Sequence, residues 1–98
     1  MTKSGILTKI EKNQSTIRDL GVKRIAIFGS FAKNRQTKAS DIDVLVEFRQ
    51  GEKTFDHFME LRAFLGKLFG REIDLVTPQA LKPRMKLTVL NQARYARL

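Results

Sequence analysis

Asp41 and Asp43 stand two residues apart in the run Ser40-Asp41-Ile42-Asp43-Val44-Leu45-Val46, and a third aspartate, Asp74, lies within Glu72-Ile73-Asp74-Leu75-Val76. The first run alternates, with Ile42, Val44, Val46 and Phe48 on one side and Asp41, Asp43, Leu45 and Glu47 on the other. That is the pattern of a half-buried strand. In a strand, this spacing projects both carboxylates from one face, about 7 Å apart along the chain. Two anions so placed repel each other unless a cation lies between them, and carboxylate oxygen in company with phosphate is the ligand set that Mg2+ takes. Asp74 joins the pair if its own strand lies alongside in suitable register. Three converging carboxylates would accommodate two divalent ions about 3.5–4 Å apart, the arrangement that serves in-line phosphoryl displacement. Asp74, facing the acceptor, is then the expected general base. By itself an Asp-x-Asp at a strand's beginning is more often a solvated turn, so the segment ahead of it has to be weighed too.

That segment is Phe28-Gly29-Ser30-Phe31-Ala32, read as a turn from a buried strand into a short helix. Glycine lets the backbone approach an anion closely and take positive φ, and a helix N-terminus offers unpaired N–H groups to phosphate. The Ser30 hydroxyl would bond a phosphate oxygen or simply cap the helix. Between Leu20 and Ser40 the chain carries Lys23, Arg24, Lys33, Arg35 and Lys38 and no acid. These would offset much of the charge of a triphosphate. After Asp74 come Lys82, Arg84, Lys86, Arg94 and Arg97, again with no acid, and the formal net charge is +9. Such a balance suits a polyanionic partner, although a solvated basic surface is an equal reading of charge alone.

The elements that must position these groups follow from periodicity. Ile6, Ile10, Ile17 and Leu20 mark one helix over 3–20, stopped by Gly21. Val22 to Phe28 reads as a buried strand, 31–40 as a short helical turn and loop, and Asp41 to Phe48 as the second strand. Thr54 caps a helix to Phe69 whose apolar face is Phe55, Phe58, Leu61, Leu65, Leu68 and Phe69, with Gly70 as its stop. Glu72 to Val76 is the third strand. Thr77 and Pro78 start a further helix, and Pro83 restarts it as a basic C-terminal helix completed by Met85 to Tyr95. The order predicts an α+β (mixed α/β) domain, a small mixed β-sheet packed by helices.

The bulk composition sets limits. Ninety-eight residues, 42% hydrophobic and 30% charged, describe a single folded domain over 1–98. Without cysteine there is no disulfide or thiolate zinc site, and His57 alone makes no metal cluster. No signal peptide or membrane span is evident, so the expected location is cytoplasmic. His57 reads as a surface or half-buried histidine. Phe31 reads as core, with contact to a nucleotide as the alternative.

Taken together, Gly29-Ser30-Phe31-Ala32 and Ser40-Asp41-Ile42-Asp43-Val44-Leu45-Val46 resemble the signature of the DNA-polymerase-β-like nucleotidyltransferase superfamily, in its shortest branch, the minimal nucleotidyltransferases (MNT). Arg71-Glu72-Ile73-Asp74-Leu75-Val76 matches the strand that supplies the third carboxylate, so the resemblance covers nearly the whole chain. It implies the polymerase-β-like nucleotidyltransferase fold, nucleotide binding by Gly29, Ser30, Lys33 and Ser40, and two Mg2+ ions held by Asp41, Asp43 and Asp74. Where many relatives have Ala-Arg-Gly-Glu after the Gly-Ser turn, this chain has Ala32-Lys33-Asn34-Arg35. Lys33 keeps the charge without arginine's planar fork, and Asn34 tolerates a left-handed backbone.

The same resemblance implies an acceptor. Larger relatives hold theirs in a second domain, whereas minimal nucleotidyltransferases are commonly paired with a small helical HEPN ribonuclease toxin. The nucleotidyltransferase acts there as antitoxin and transfers AMP from ATP to a tyrosine of the partner. Two other expectations stand beside this one. The chain could neutralise its partner by contact alone, or its basic C-terminal helix could grip nucleic acid for transfer to an RNA end.

Overall fold

Alternation in three segments builds the sheet. In the computed structural model, which describes residues 1–37 and 40–98, the strands are β1 (Val22–Phe28), β2 (Ile42–Phe48), β3 (Ile73–Val76) and β4 (Arg94–Tyr95), in the order β3-β2-β1-β4. Lys38, counted among the basic residues of the loop, lies outside the described residues. β1 runs antiparallel to β2 and to β4, while β2 and β3 are parallel, so the sheet is mixed, as expected. The parallel pair needs a crossover, and helix α4 (Phe55–Phe69) supplies it.

One face of the sheet is wholly apolar. Ile25 and Ile27 of β1, Ile42, Val44 and Val46 of β2, and Ile73 and Leu75 of β3 pack on Ile6, Ile10 and Ile17 of the N-terminal helices and on Leu61, Leu65 and Phe69 of α4. The other face carries a smaller cluster, Ala26, Leu45 and Ala93, bordered by Phe28, Val76, Leu81 and Leu90. Helix α5 (Pro83–Gln92) contributes Leu90 to that border, with Pro83 at its start as the sequence indicates. Two residues along from this cluster on each strand, at one end of the same face, come Asp43 on β2 and Asp74 on β3.

Four sequence expectations are corrected. The helix over 3–20 is two helices, α1 (Lys3–Lys12) and α2 (Gln14–Asp19). Asn13 divides them: its side-chain amide donates to the Lys9 carbonyl (2.8 Å), and its own N–H turns to the Ile10 carbonyl (3.0 Å) instead of the fourth residue back. The short helix α3 (Gly29–Ala32) starts within the Gly-Ser turn and not after it. Thr77-Pro78 opens only a 3-10 turn over Pro78–Ala80, and Thr77 makes no side-chain cap. The C-terminal helix ends at Gln92 and does not reach Tyr95. Ala93 turns extended (ψ 137°), and Arg94 and Tyr95 add an edge strand beside Ile27 and Ala26. The Arg24 guanidinium lies over the Tyr95 ring, 4.2 Å from its centre, and also meets Glu47 at 3.5 Å.

Helix α4 follows its prediction at both ends. The Thr54 hydroxyl accepts the His57 N–H (3.1 Å), and Gly70 closes the helix in the left-handed conformation. Its apolar face is misjudged at one position, because Phe55 is 78% exposed. The contrast gives a test. Leu65→Ala, at a fully buried site, should cost about 2–5 kcal/mol in a urea melt. Phe55→Ser should change stability by less than about 0.5 kcal/mol. Among the described residues no helix is long and apolar enough to cross a membrane.

Candidate active site

Register brings the chemistry together. Asp43 of β2 has Phe28 as its antiparallel partner on β1 and Asp74 as its parallel partner on β3. Paired residues of neighbouring strands project from the same face, so Asp43 and Asp74 stand side by side. Phe28 is the last residue of β1, and the chain turns at once through Gly29. Gly29 has φ +69°, and a Cβ placed there would sit 3.0 Å from the Asp43 Cγ, with a carboxylate oxygen nearer still. The glycine is therefore required twice, for its backbone conformation and for the space the carboxylate occupies.

The electrostatics agree with this crowding. The Asp43 carboxyl is pushed up to about 6, first by burial, then by the Asp74 charge, by a hydrogen bond that the protonated acid donates to Asp74, and by the Asp41 charge. Its folded pKa thus lies above its unfolded value, so below about pH 4 both states are protonated, while above about pH 6 the folded protein holds an anion it disfavours. Stability should fall as pH rises through that window. The amplitude should be about 1 kcal/mol once solvent screening is allowed for. Asp43→Asn should flatten the slope in denaturant melts between pH 4 and pH 7, and divalent cation should offset it in the native protein.

Asp41 precedes the first residue of β2 and is exposed. Its charge is felt at Asp43. Among the described residues, however, no group of three or more His, Cys, Asp or Glu side chains is gathered to hold a metal ion. Strand register pairs Asp43 with Asp74, and Asp41 lies just before β2 with its charge acting on Asp43. The pair still fits a divalent cation. Both groups are hard oxygen donors, and bringing them together costs free energy that a cation would relieve.

The remaining sequence-derived residues surround the pair unequally. No side chain caps α3, so Ser30 is not its cap, and the Ser30 carbonyl accepts the Arg35 N–H (2.8 Å). Lys33 ends α3 and is exposed. Asn34 takes the left-handed conformation (φ 57°), so the altered loop keeps its turn. Ser40 is committed to the loop: its hydroxyl accepts the Thr37 N–H (2.7 Å). Phe31 is fully buried in the larger core, which settles its reading. His57 is half-buried, with Nδ1 2.7 Å from the Glu52 carbonyl. Arg24, set beside the loop in the sequence, faces Glu47 and Tyr95 some five residues from Gly29, roughly 16 Å along the strand.

Sequence reasoning assigned nothing to Arg71. Its Nη1 donates to the carbonyls of Ser40 (3.0 Å) and Thr37 (3.3 Å), and its guanidinium lies over the Phe31 ring, 5.2 Å from the centre. An arginine just after a helix-stopping glycine and three residues before a candidate carboxylate was the available signal.

Comparison with known proteins places the chain in a family. Residues 6–96 match the model of the nucleotidyltransferase domain family. A candidate protein adenylyltransferase of Methanocaldococcus jannaschii is 44% identical over 73 residues, covering 74% of this chain and 77% of that one. The solved structure of a candidate minimal nucleotidyltransferase superposes with a TM-score of 0.82 at 31% identity, over 96% of this chain and 95% of the other. The MNT antitoxin fold in a complex with the tri-AMPylated HEPN toxin of Shewanella oneidensis also matches, with a TM-score of 0.62 at 21% identity over 91% and 70% of the two chains. The sheet and helices of this chain accordingly have the nucleotidyltransferase fold, and the chain is a member of the nucleotidyltransferase domain family, in its minimal branch.

Proposed function

We propose that the protein transfers AMP from ATP to a tyrosine hydroxyl of a small helical HEPN-type toxin in the cytoplasm, and so acts as its antitoxin. The observation that carries this reading is the Asp43–Asp74 pair set against Gly29, because it puts a cation-binding pair beside a turn suited to phosphate. The relatives add support. One is described as a candidate protein adenylyltransferase, and one neighbour in fold was solved with an AMPylated toxin.

In this scheme the backbone at Gly29 and the Ser30 hydroxyl receive the triphosphate, and Lys33 adds positive charge. Ser40 acts through the loop that it closes. Asp43 and Asp74, completed by Asp41 after a side-chain rotation, would hold Mg2+. When bound, Mg2+ supplies neutralisation of the triphosphate and acidification of the acceptor hydroxyl. Asp74 accepts the proton of that hydroxyl as its oxygen attacks the α-phosphorus. The bond from the α-phosphorus to the bridging oxygen breaks, and pyrophosphate leaves with the electron pair.

Incubation with α-labelled ATP, Mg2+ and a helical HEPN-type protein tests the reading. Label should appear on a tyrosine of that protein. No transfer, or protection from the toxin by Asp43→Asn/Asp74→Asn equal to that by the native chain, would leave contact neutralisation as the better account. Label on RNA in place of protein would redirect the acceptor to a nucleic-acid end.

A further inference from the structure

Arg71 joins segments that flank the site. It follows Gly70, which ends α4 at φ +63°, and it precedes Asp74 by three residues. Through Phe31 it reaches α3, the helix whose first residue is Gly29. Through the Thr37 and Ser40 carbonyls it reaches the turn that leads directly into Asp41. Thr37 and Ser40 are also bonded to each other, Ser40 N–H to the Thr37 carbonyl (3.1 Å) and Thr37 N–H to the Ser40 hydroxyl (2.7 Å). Thr37 and Ser40 themselves lie outside the strands and helices described.

The chemistry suits arginine in particular. One planar group lies over a buried ring and aims N–H donors at two carbonyl oxygens, which an ammonium on a flexible stem does not reproduce. The neighbouring acid Glu72 is met at 3.8 Å by Arg62.

We infer that Arg71 is a positioning residue: it ties the Thr37 and Ser40 carbonyls to Phe31 of α3 and to the segment entering β3, and thereby sets Asp41, next after Ser40, relative to the Asp43–Asp74 pair. The role rests on the nucleotidyltransferase reading given above. It accounts for how Asp41, outside any strand, can be presented to a cation held mainly by the other two carboxylates.

Two readouts on the full-length protein test it, with R71A and R71K beside the native chain. The first is hydrogen exchange of the 36–42 segment without nucleotide, which should quicken in R71A while the melting temperature barely moves. The second is calorimetric titration of Mg2+ in the presence of AMP-PNP. R71A should need about tenfold or more Mg2+ for half-saturation, the usual result of losing a group that orients a metal ligand. R71K should remain impaired, and millimolar guanidinium added to R71A should recover much of the loss. If R71A does not fold, R71K carries the same comparison. Unchanged exchange in both variants, or superimposed Mg2+ titrations, would overturn the clamp. A native chain that shows no Mg2+-dependent binding of AMP-PNP would instead remove the nucleotidyltransferase reading, with the exchange experiment still deciding whether the clamp exists.

Discussion

Asp43→Asn should slow nucleotidyl transfer by about 10³-fold while leaving the fold intact and, above about pH 6, slightly more stable. Asparagine has nearly the same shape, so the packing against Gly29 survives. What disappears is the negative charge at the centre of the site, between the last residue of β1 and Asp74. Loss of one preorganised electrostatic group typically slows catalysis by about 10²–10³-fold, and a residue that also holds the cation should fall at the upper end. The stability gain follows from the raised pKa of the native acid, since Asn removes an anion that the folded state disfavours. Initial rates of AMP transfer, set against urea melts of the same preparations, separate the two effects. A variant that transfers at the native rate would contradict the assignment.

Gly29→Ala is the second large effect, and Gly70→Ala is its control. Both glycines are left-handed, at φ +69° and +63°. Each substitution should therefore cost about 1–2 kcal/mol of backbone strain. Around Gly70 a new Cβ meets nothing within 4 Å, whereas at Gly29 it meets the Asp43 carboxylate. Gly70→Ala should accordingly lose stability alone. Gly29→Ala should lose more stability and, because Asp43 must move, most of the transfer activity as well. Equal activities in the two variants would show that the contact between turn and carboxylate does not matter to the chemistry.

The parts of this site that were legible in the sequence are those written in local periodicity. Alternation placed Asp43 opposite Val44 and Val46, and the same rule put Asp74 between the buried residues Ile73 and Leu75. The register that seats Asp43 beside Asp74 was not legible, because no local signal states which residues of two parallel strands face each other across a crossover. Asp41 illustrates the limit. Its spacing suggested a strand position, yet β2 begins at Ile42, so Asp41 is exposed just ahead of the ladder that seats Asp43. Ser40 was read as a ligand from its place in the motif, and in the structure its hydroxyl accepts the Thr37 N–H.

Elsewhere the failures have the same physical root. Two residues are too few to show a period, so β4 was taken for the end of a helix until its pairing with Ala26 and Ile27 was seen. Phe55 fits the apolar stripe of α4 in sequence, but it lies in the first turn and projects beyond the core. Arg71 carries no signature at all, since its two carbonyl partners lie some thirty residues away along the chain.

The central claim is that Asp43 and Asp74, brought together by strand register against the Gly29 turn, bind a divalent cation together with a nucleoside triphosphate. Titration of Mn2+ into the protein with AMP-PNP, followed by electron paramagnetic resonance, addresses it without needing the acceptor. The native chain should show saturable, nucleotide-dependent uptake of Mn2+, and both Asp43→Asn and Asp74→Asn should show almost none. Uptake by either variant equal to that of the native chain would contradict the account.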